Sequence, residues 1–516
     1  MKENQSNRLM INMSTYLLLQ IINLLVGLVL PRLYLAVYGS EINGVVSTVN
    51  SFITYFHYLE AGIGLTLVHS LYKPLSEKDV NGTNKILSFS KNQYKKISFI
   101  YAVLVIAFSV VFPFISASNE LRKLEFITLI LVIGAYGTVD FYTMAKYRVL
   151  LTADRKEYVI SAAMIVAQIL RFVLVWFVLQ FKLSITIVKL VPIFTLFVRS
   201  IILRWYVKKK YSQVSFCVPY EKNIVCASKR WDALLLQISI NSSLALPVII
   251  VSQVLNYRQA NVYAIYNLVI GSVISLVSAL SSGVAPMLGR AIATNKNVKE
   301  SYNSYEWIVS VVLTTVFSVA CVVILPFVRL YVSVVDDINY IHKSYAILFS
   351  VWAAIYVYRM PSTALVNAAG MYKENRVNNI INLSIQLVFG VILAILFGIE
   401  GVLITMIFAA VQRNIGFSVV IEKKLLKRSL FNSLKRQFLM IAIIILSSSI
   451  GLEFVYNNCI TALQWIIYST ITVLIIGCIV VLMFIITDYS TFKDVFVSFR
   501  SKFFRKKSKT ISGGID

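Results

Sequence analysis

Apolar residues along this chain gather into fourteen long runs, near residues 9–36, 44–71, 97–117, 124–150, 157–181, 183–205, 232–255, 261–284, 305–331, 340–368, 376–398, 401–421, 437–456 and 463–487. Most reach or exceed the ~20 residues a helix needs to cross a bilayer, so each predicts a transmembrane helix, several of them tilted. Polar positions between the runs alternate in kind. Lys and Arg are retained on the cytoplasmic side of a membrane, and they fall in every second gap. With the N-terminus inside, the inner segments hold 39 of the 49 basic residues, the outer gaps hold seven, and Arg171, Lys189 and Arg199 lie within spans. The pattern predicts an all-α polytopic membrane protein with both termini cytoplasmic.

Two basic stretches divide the runs. Residues 208–231, which open with Lys208-Lys209-Lys210, separate six spans (1–207) from six more (232–421). A second linker, 422–436, sets apart spans 13 and 14 (437–487), and a basic tail follows at 488–516. Six is even, so both halves begin on the same side, as in parallel repeats. Gly62-Ile63-Gly64 and Gly283-Val284-Ala285-Pro286 end spans 2 and 8, and Tyr147-Arg148 and Tyr358-Arg359 end spans 4 and 10. These are traces of two pseudo-symmetric lobes.

Composition agrees with this and narrows the function. The chain is 58% apolar and 14% charged, with a mean hydropathy of +0.77; soluble domains hold about 45–50% apolar and about 25% charged residues. The net charge of +26 encodes orientation and attracts anionic lipid, with no nucleic acid required. The five cysteines have no CxxC spacing, and only Cys459 lies in an outer gap, so an impermeant thiol reagent added outside is expected to reach it but not Cys217 or Cys226. No nucleotide-binding loop and no H-E-x-x-H site is present. Asp336-Asp337 stands alone in an outer gap too short for a catalytic domain. Transport driven by an ion gradient, proton or sodium, or by the substrate's own gradient is what remains, with no metal and no cofactor called for.

Ionisable groups in spans face partners or water-filled cavities. Arg171 is the deepest; it lines a cavity as an anion-binding cation, pairs with Asp140 of span 4, or both. Lys189 lines the same cavity or snorkels to the interface, and Arg199 is expected to snorkel. Arg32 and Arg258 begin corresponding positions of the two lobes, as gate cations or loop charges. His57 and Glu60 are three apart and share a face, as a coupling site or a polar cluster at a helix kink. Gln20 and Asn23 in span 1, Asn267 and Ser275 in span 8, and Asn382 and Gln386 in span 11 form polar strips, as close-packed seams or cavity walls.

Particular stretches resemble a known family. Tyr38-Gly39-Ser40-Glu41-Ile42-Asn43-Gly44, Leu59-Glu60-Ala61-Gly62-Ile63-Gly64 and Leu71-Tyr72-Lys73-Pro74-Leu75 are similar to the Wzx-type polysaccharide flippases of the multidrug/oligosaccharidyl-lipid/polysaccharide exporter superfamily. So are Arg148 through Lys156, Val262 through Asn267, Arg359-Met360-Pro361-Ser362, Asn367 through Tyr372 and Phe397-Gly398-Ile399-Glu400-Gly401. The resemblance implies two six-helix lobes around a central cavity, with two extra C-terminal helices. It also implies alternating access and flipping of undecaprenyl-diphosphate-linked oligosaccharides across a bacterial cytoplasmic membrane, alongside polysaccharide polymerase machinery. A lipid II flippase or a multidrug antiporter of the superfamily, and a membrane polymerase or ligase from another class, are the alternatives.

Overall fold

The computed structural model describes residues 2–60, 63–116, 118–220, 230–281, 298–369 and 375–497. Gly62, Cys226, Gly283 through Pro286, Gly370 through Tyr372 and the tail beyond 497 lie outside the described residues. Sixteen helices account for almost all of the rest: α1 (Lys2–His57), α2 (Ile63–Glu77), α3 (Val80–Ile115), α4 (Lys123–Thr143), α5 (Ala145–Ala153), α6 (Glu157–Leu179), α7 (Ile185–Val188), α8 (Val191–Lys210), α9 (Arg230–Val254), α10 (Tyr257–Ser281), α11 (Val298–Val332), α12 (Lys343–Tyr358), α13 (Met360–Ala369), α14 (Arg376–Ile421), α15 (Phe431–Asn458) and α16 (Ala462–Thr487). Among the described residues, ten helices are long and apolar enough to cross a membrane.

Two of the ten are compound. α1 breaks at Gly39 (φ +72°) and α14 at Gly398 (φ +62°), left-handed conformations open to glycine at little steric cost. In α14 the break is a hairpin. The amide of Asn382 donates to the carbonyl of Ala409 (2.6 Å) and that of Asn378 to the carbonyl of Arg413 (3.2 Å), one position falling as the other rises. Near the turn, a Cβ on Gly401 would stand 1.9 Å from the Leu393 carbonyl oxygen, so only glycine permits the approach. The tight outer gap expected at 398–401 is this hairpin.

The chain forms two compact units, residues 1–264 with 334–338, and residues 265–333 with 339–516. In the first unit, Asn12, Asn23 and Tyr38 of α1 meet Tyr158, Gln168 and Leu183, at sequence separations of 146, 145 and 145. A constant separation means parallel helices, so the first part of α1 and α6 cross in the same sense. α3 and α4 run antiparallel: Ser98 donates to the Thr138 carbonyl, Gly134 admits Val105, and Phe112 meets Phe126 at their far ends. Asp337 accepts the backbone N–H of Ser40 (2.8 Å) directly after the Gly39 break, which gives the acidic pair of the 334–338 loop a structural role.

In the second unit α11 is the central element. α15 lies parallel to it, from Glu306 with Arg436 to Arg329 with the Tyr456 carbonyl (3.0 Å). α16 lies antiparallel, from Trp307 against Phe484 to the Val323 carbonyl bound by the Trp465 indole (3.0 Å). Spans 13 and 14 therefore dock along α11 rather than standing apart, and the basic 422–436 stretch anchors them. Cys459 is fully buried at the end of α15, its carbonyl taken by Arg329, so the expectation that an outside reagent reaches it fails.

Candidate functional site

α1 stops at His57, followed by a single 3₁₀ turn, Tyr58–Glu60, before the Gly62/Gly64 region. The turn separates His57 from Glu60. His57 bonds the Ile53 carbonyl through Nδ1 (2.9 Å) and packs its ring on Tyr101 and Phe141, while Glu60 accepts from the Tyr94 hydroxyl (2.7 Å) and lies 3.5 Å from Arg148. Arg148 reaches on to Asp140 (2.8 Å), and the other oxygen of Asp140 is held by Arg199. Glu60, Arg148, Asp140 and Arg199 thus form one alternating chain of charge across α4, α5 and α8.

This corrects two expectations. Asp140 is saturated by Arg148 and Arg199, not by Arg171. Arg199 is buried, with its Nε against the Met144 sulfur (3.0 Å), instead of snorkelling. Arg148, which the sequence places with the loop charges, is the middle of the chain.

Arg171 stands elsewhere, on α6, which runs parallel to the first part of α1. Its neighbours are Tyr34 of α1 and Lys189, the residue that ends the single-turn helix α7 before Pro192 starts α8. Lys189 is only 9% exposed, and its ammonium lies 3.9 Å from the centroid of the Tyr34 ring. The Arg171 Nε is buried without a hydrogen-bond partner, and the Tyr34 hydroxyl lies within hydrogen-bonding reach of the Arg171 guanidinium. Among the described residues neither cation makes an ion pair. A cation over a ring recovers about 0.5–2 kcal/mol, far less than a buried ammonium loses on leaving water. Two like charges and an unspent guanidinium N–H converge here beside a tyrosine hydroxyl, and an anion with several acceptor oxygens suits them together.

The other candidates are placed as follows. Arg32 is exposed. Arg258 pairs with Glu41 (3.6 Å) and Glu120 (3.4 Å); burial and the Glu41 charge push the Glu120 carboxyl above its usual range despite Arg258. Asn23 accepts from Gln168 (2.8 Å) in the α1–α6 seam, with Gln20 half-buried a turn earlier. Gln386 donates to Asn382 (2.6 Å) within the α14 hairpin. Ser275 bonds its own helix at the Gly271 carbonyl, and the Asn267 carbonyl oxygen is buried without a donor. Asn23, Asn382 and Gln386 spend hydrogen bonds on helix packing.

A second charge cluster was not foreseen at all. In the second unit Glu306, 1% exposed, accepts from Arg428 (2.8 Å), Arg436 (2.9 Å), Ser433 (2.6 Å) and Tyr358 (3.0 Å). Arg428 also grips Glu422 (2.5 Å), and Arg436 grips Asp488 (2.5 Å). Arg413, counted with a loop, is buried in α14 and donates to Asn379 (3.3 Å).

No family model and no curated protein matches the chain. Solved structures do match in fold. The chain is similar to the lipid II flippase MurJ in an inward closed conformation, with a TM-score of 0.68 at 12% identity over 92% of this chain and 99% of that one. It is similar to a multidrug resistance MATE family transporter of the MOP superfamily in an inward-facing conformation, with a TM-score of 0.64 at 14% identity over 82% and 95%. A eukaryotic MATE transporter, AtDTX14, gives 0.56 at 12% identity over 83% and 96%. The chain shares the fold of these three proteins.

Proposed function

We propose that this protein is a Wzx-type flippase that moves undecaprenyl-diphosphate-linked oligosaccharide repeat units from the cytoplasmic to the outer leaflet by alternating access. The carrying observation is the Arg171, Lys189 and Tyr34 group: a buried ammonium and a half-buried guanidinium with a buried, unspent Nε–H and no carboxylate paired to either, chemistry suited to a diphosphate. The fold supports a transporter, and the resemblance in Tyr38 through Gly44 and Arg359 through Tyr372 supports the polysaccharide branch. On this reading the chain crosses a bacterial cytoplasmic membrane fourteen times. The compound helices α1 and α14 supply two crossings each, and α9 and the α12–α13 pair supply one each beyond the other eight long helices. The parallel and antiparallel senses within each unit agree with that alternation, and both termini are cytoplasmic on this reading.

A strain lacking the protein should accumulate lipid-linked repeat units facing the cytoplasm while surface polymer falls. Arg171→Ala and Lys189→Ala at normal protein level should behave alike. Unchanged surface polymer in a strain without a redundant transporter sinks the reading. The fold shared with MurJ favours one second reading, lipid II itself; loss of peptidoglycan synthesis with intact surface polymer would establish it instead.

A further inference from the structure

The second unit carries a cavity that the transport site does not use. Of about 160 Å³, it is lined by Asn303 of α11, Asn432, Lys435, Arg436 and Leu439 of the first turns of α15, Phe484 and Thr487 at the end of α16, and Asp488, Ser490 and Thr491 beyond it. Its back wall is electrically finished: Arg436 is held by Glu306 and Asp488, and Thr491 donates to Asp488 (2.7 Å). Lys435 is different. It is exposed, and among the described residues its ammonium donates to the Thr487 carbonyl (2.9 Å) and makes no ion pair, which leaves N–H donors to spare. Asn432 and Ser490 add an amide and a hydroxyl, both exposed.

The rim around these polar groups is apolar. Phe431 (68% exposed) and Phe438 (76%) of α15, and Ile486 (75%) and Tyr489 (63%) at the end of α16, are neighbours in sequence of the lining residues and turn their side chains to the surroundings. Aromatic and aliphatic side chains at a helix end mark the level where a span leaves the bilayer. α15 and α16 both lie along α11, and their exposed apolar residues Phe438 and Ile486 offer a surface for an acyl chain beside the polar groups. A ligand that fits has a phosphate at one end and hydrocarbon at the other.

We propose that this cavity is a binding site for the phosphate headgroup of an anionic phospholipid, held by Lys435, Asn432 and Ser490, with its chains along that apolar surface. The bound lipid ties the last two spans to the membrane surface and is independent of the transported molecule.

The test uses the full chain in phosphatidylcholine nanodiscs containing a minority of phosphatidylglycerol, with the co-purified lipid counted by native mass spectrometry. Lys435→Glu should retain about tenfold less phosphatidylglycerol than the parent, the loss of one charge-assisted contact. Lys493→Glu, an exposed charge on the neighbouring segment outside the lining, should retain it normally, as should Arg171→Ala. Lys435→Gln guards against misfolding and should fall between. Equal retention by parent and Lys435→Glu overturns the site. Inorganic phosphate raising the melting temperature in detergent as much as phosphatidylglycerol does would assign a free anion and overturn the lipid assignment.

Discussion

Two buried groups of basic side chains in this protein are completed in opposite ways. Around Glu306 every guanidinium has its carboxylate: Arg428 and Arg436 share Glu306 and take Glu422 and Asp488 as second partners. Around Tyr34, Arg171 and Lys189 have a ring, each other, and nothing negative. A charge in a low-dielectric interior is tolerable when paired and hydrogen-bonded. The Glu306 group meets that condition from within the chain and serves structure. The Tyr34 group leaves it unmet, and the missing member is an anion from outside. The chain Glu60, Arg148, Asp140 and Arg199 lies between, saturated at Asp140 and open to solvent at Glu60.

The contrast can be broken at its structural end first. Glu306→Ala leaves two arginines without their shared partner and should cost about 3–5 kcal/mol, read as lost expression or a large fall in melting temperature. Asp140→Asn should cost less, about 3 kcal/mol, since Arg148 keeps Glu60. The double variant Asp140→Asn with Arg199→Gln should recover part of that loss. Equal stability of parent and Glu306→Ala would erase the distinction. Arg171→Ala and Lys189→Ala should lie at the other pole: stability within about 0.5 kcal/mol of the parent or above it, because a like-charge neighbour is removed, with transport lost. A melting temperature that falls as far as for Asp140→Asn would make Arg171 structural.

How much of this was legible depends on how far along the chain each partner lies. The spans, the hairpin at Gly398 and the polar strips of α1 and α14 follow from local pattern: hydropathy, a glycine next to a glycine-ended turn, and helical spacing. Arg148, Arg199 and Arg413 were read as loop or interfacial charges because hydropathy windows see an arginine and not its partner. Asp140 and Arg199 are 59 residues apart, and Glu306 and Arg436 are 130 apart. The same blindness made 422–436 look like a free linker, although it carries Arg428 and Arg436, the anchors of α15. Cys459 has the flanks of an exposed turn, and its burial comes from residues distant in sequence: the apolar cluster shared by α11, α15 and α16, and Arg329 over the end of α15. Arg171 was singled out because depth is a local property, and its company was not.

The gentlest probe is proton concentration, applied to Asp488 at the edge of the Glu306 group. Burial raises the Asp488 carboxyl, but hydrogen bonds from Arg436 and Thr491 and the Arg436 charge outweigh it and hold the group below its usual range. A carboxyl depressed in the folded state contributes stability that is complete above its unfolded pKa of about 3.9 and is lost as pH falls through the folded value. The melting temperature should therefore hold level down to about pH 4 and decline below it, by a small amount because Asp488 is part-exposed and solvent screens the pair. Asp488→Asn should begin slightly less stable and lose that part of the acid decline, whereas Arg171→Ala should leave it untouched. A decline of the same size in both variants would separate Asp488 from the acid response.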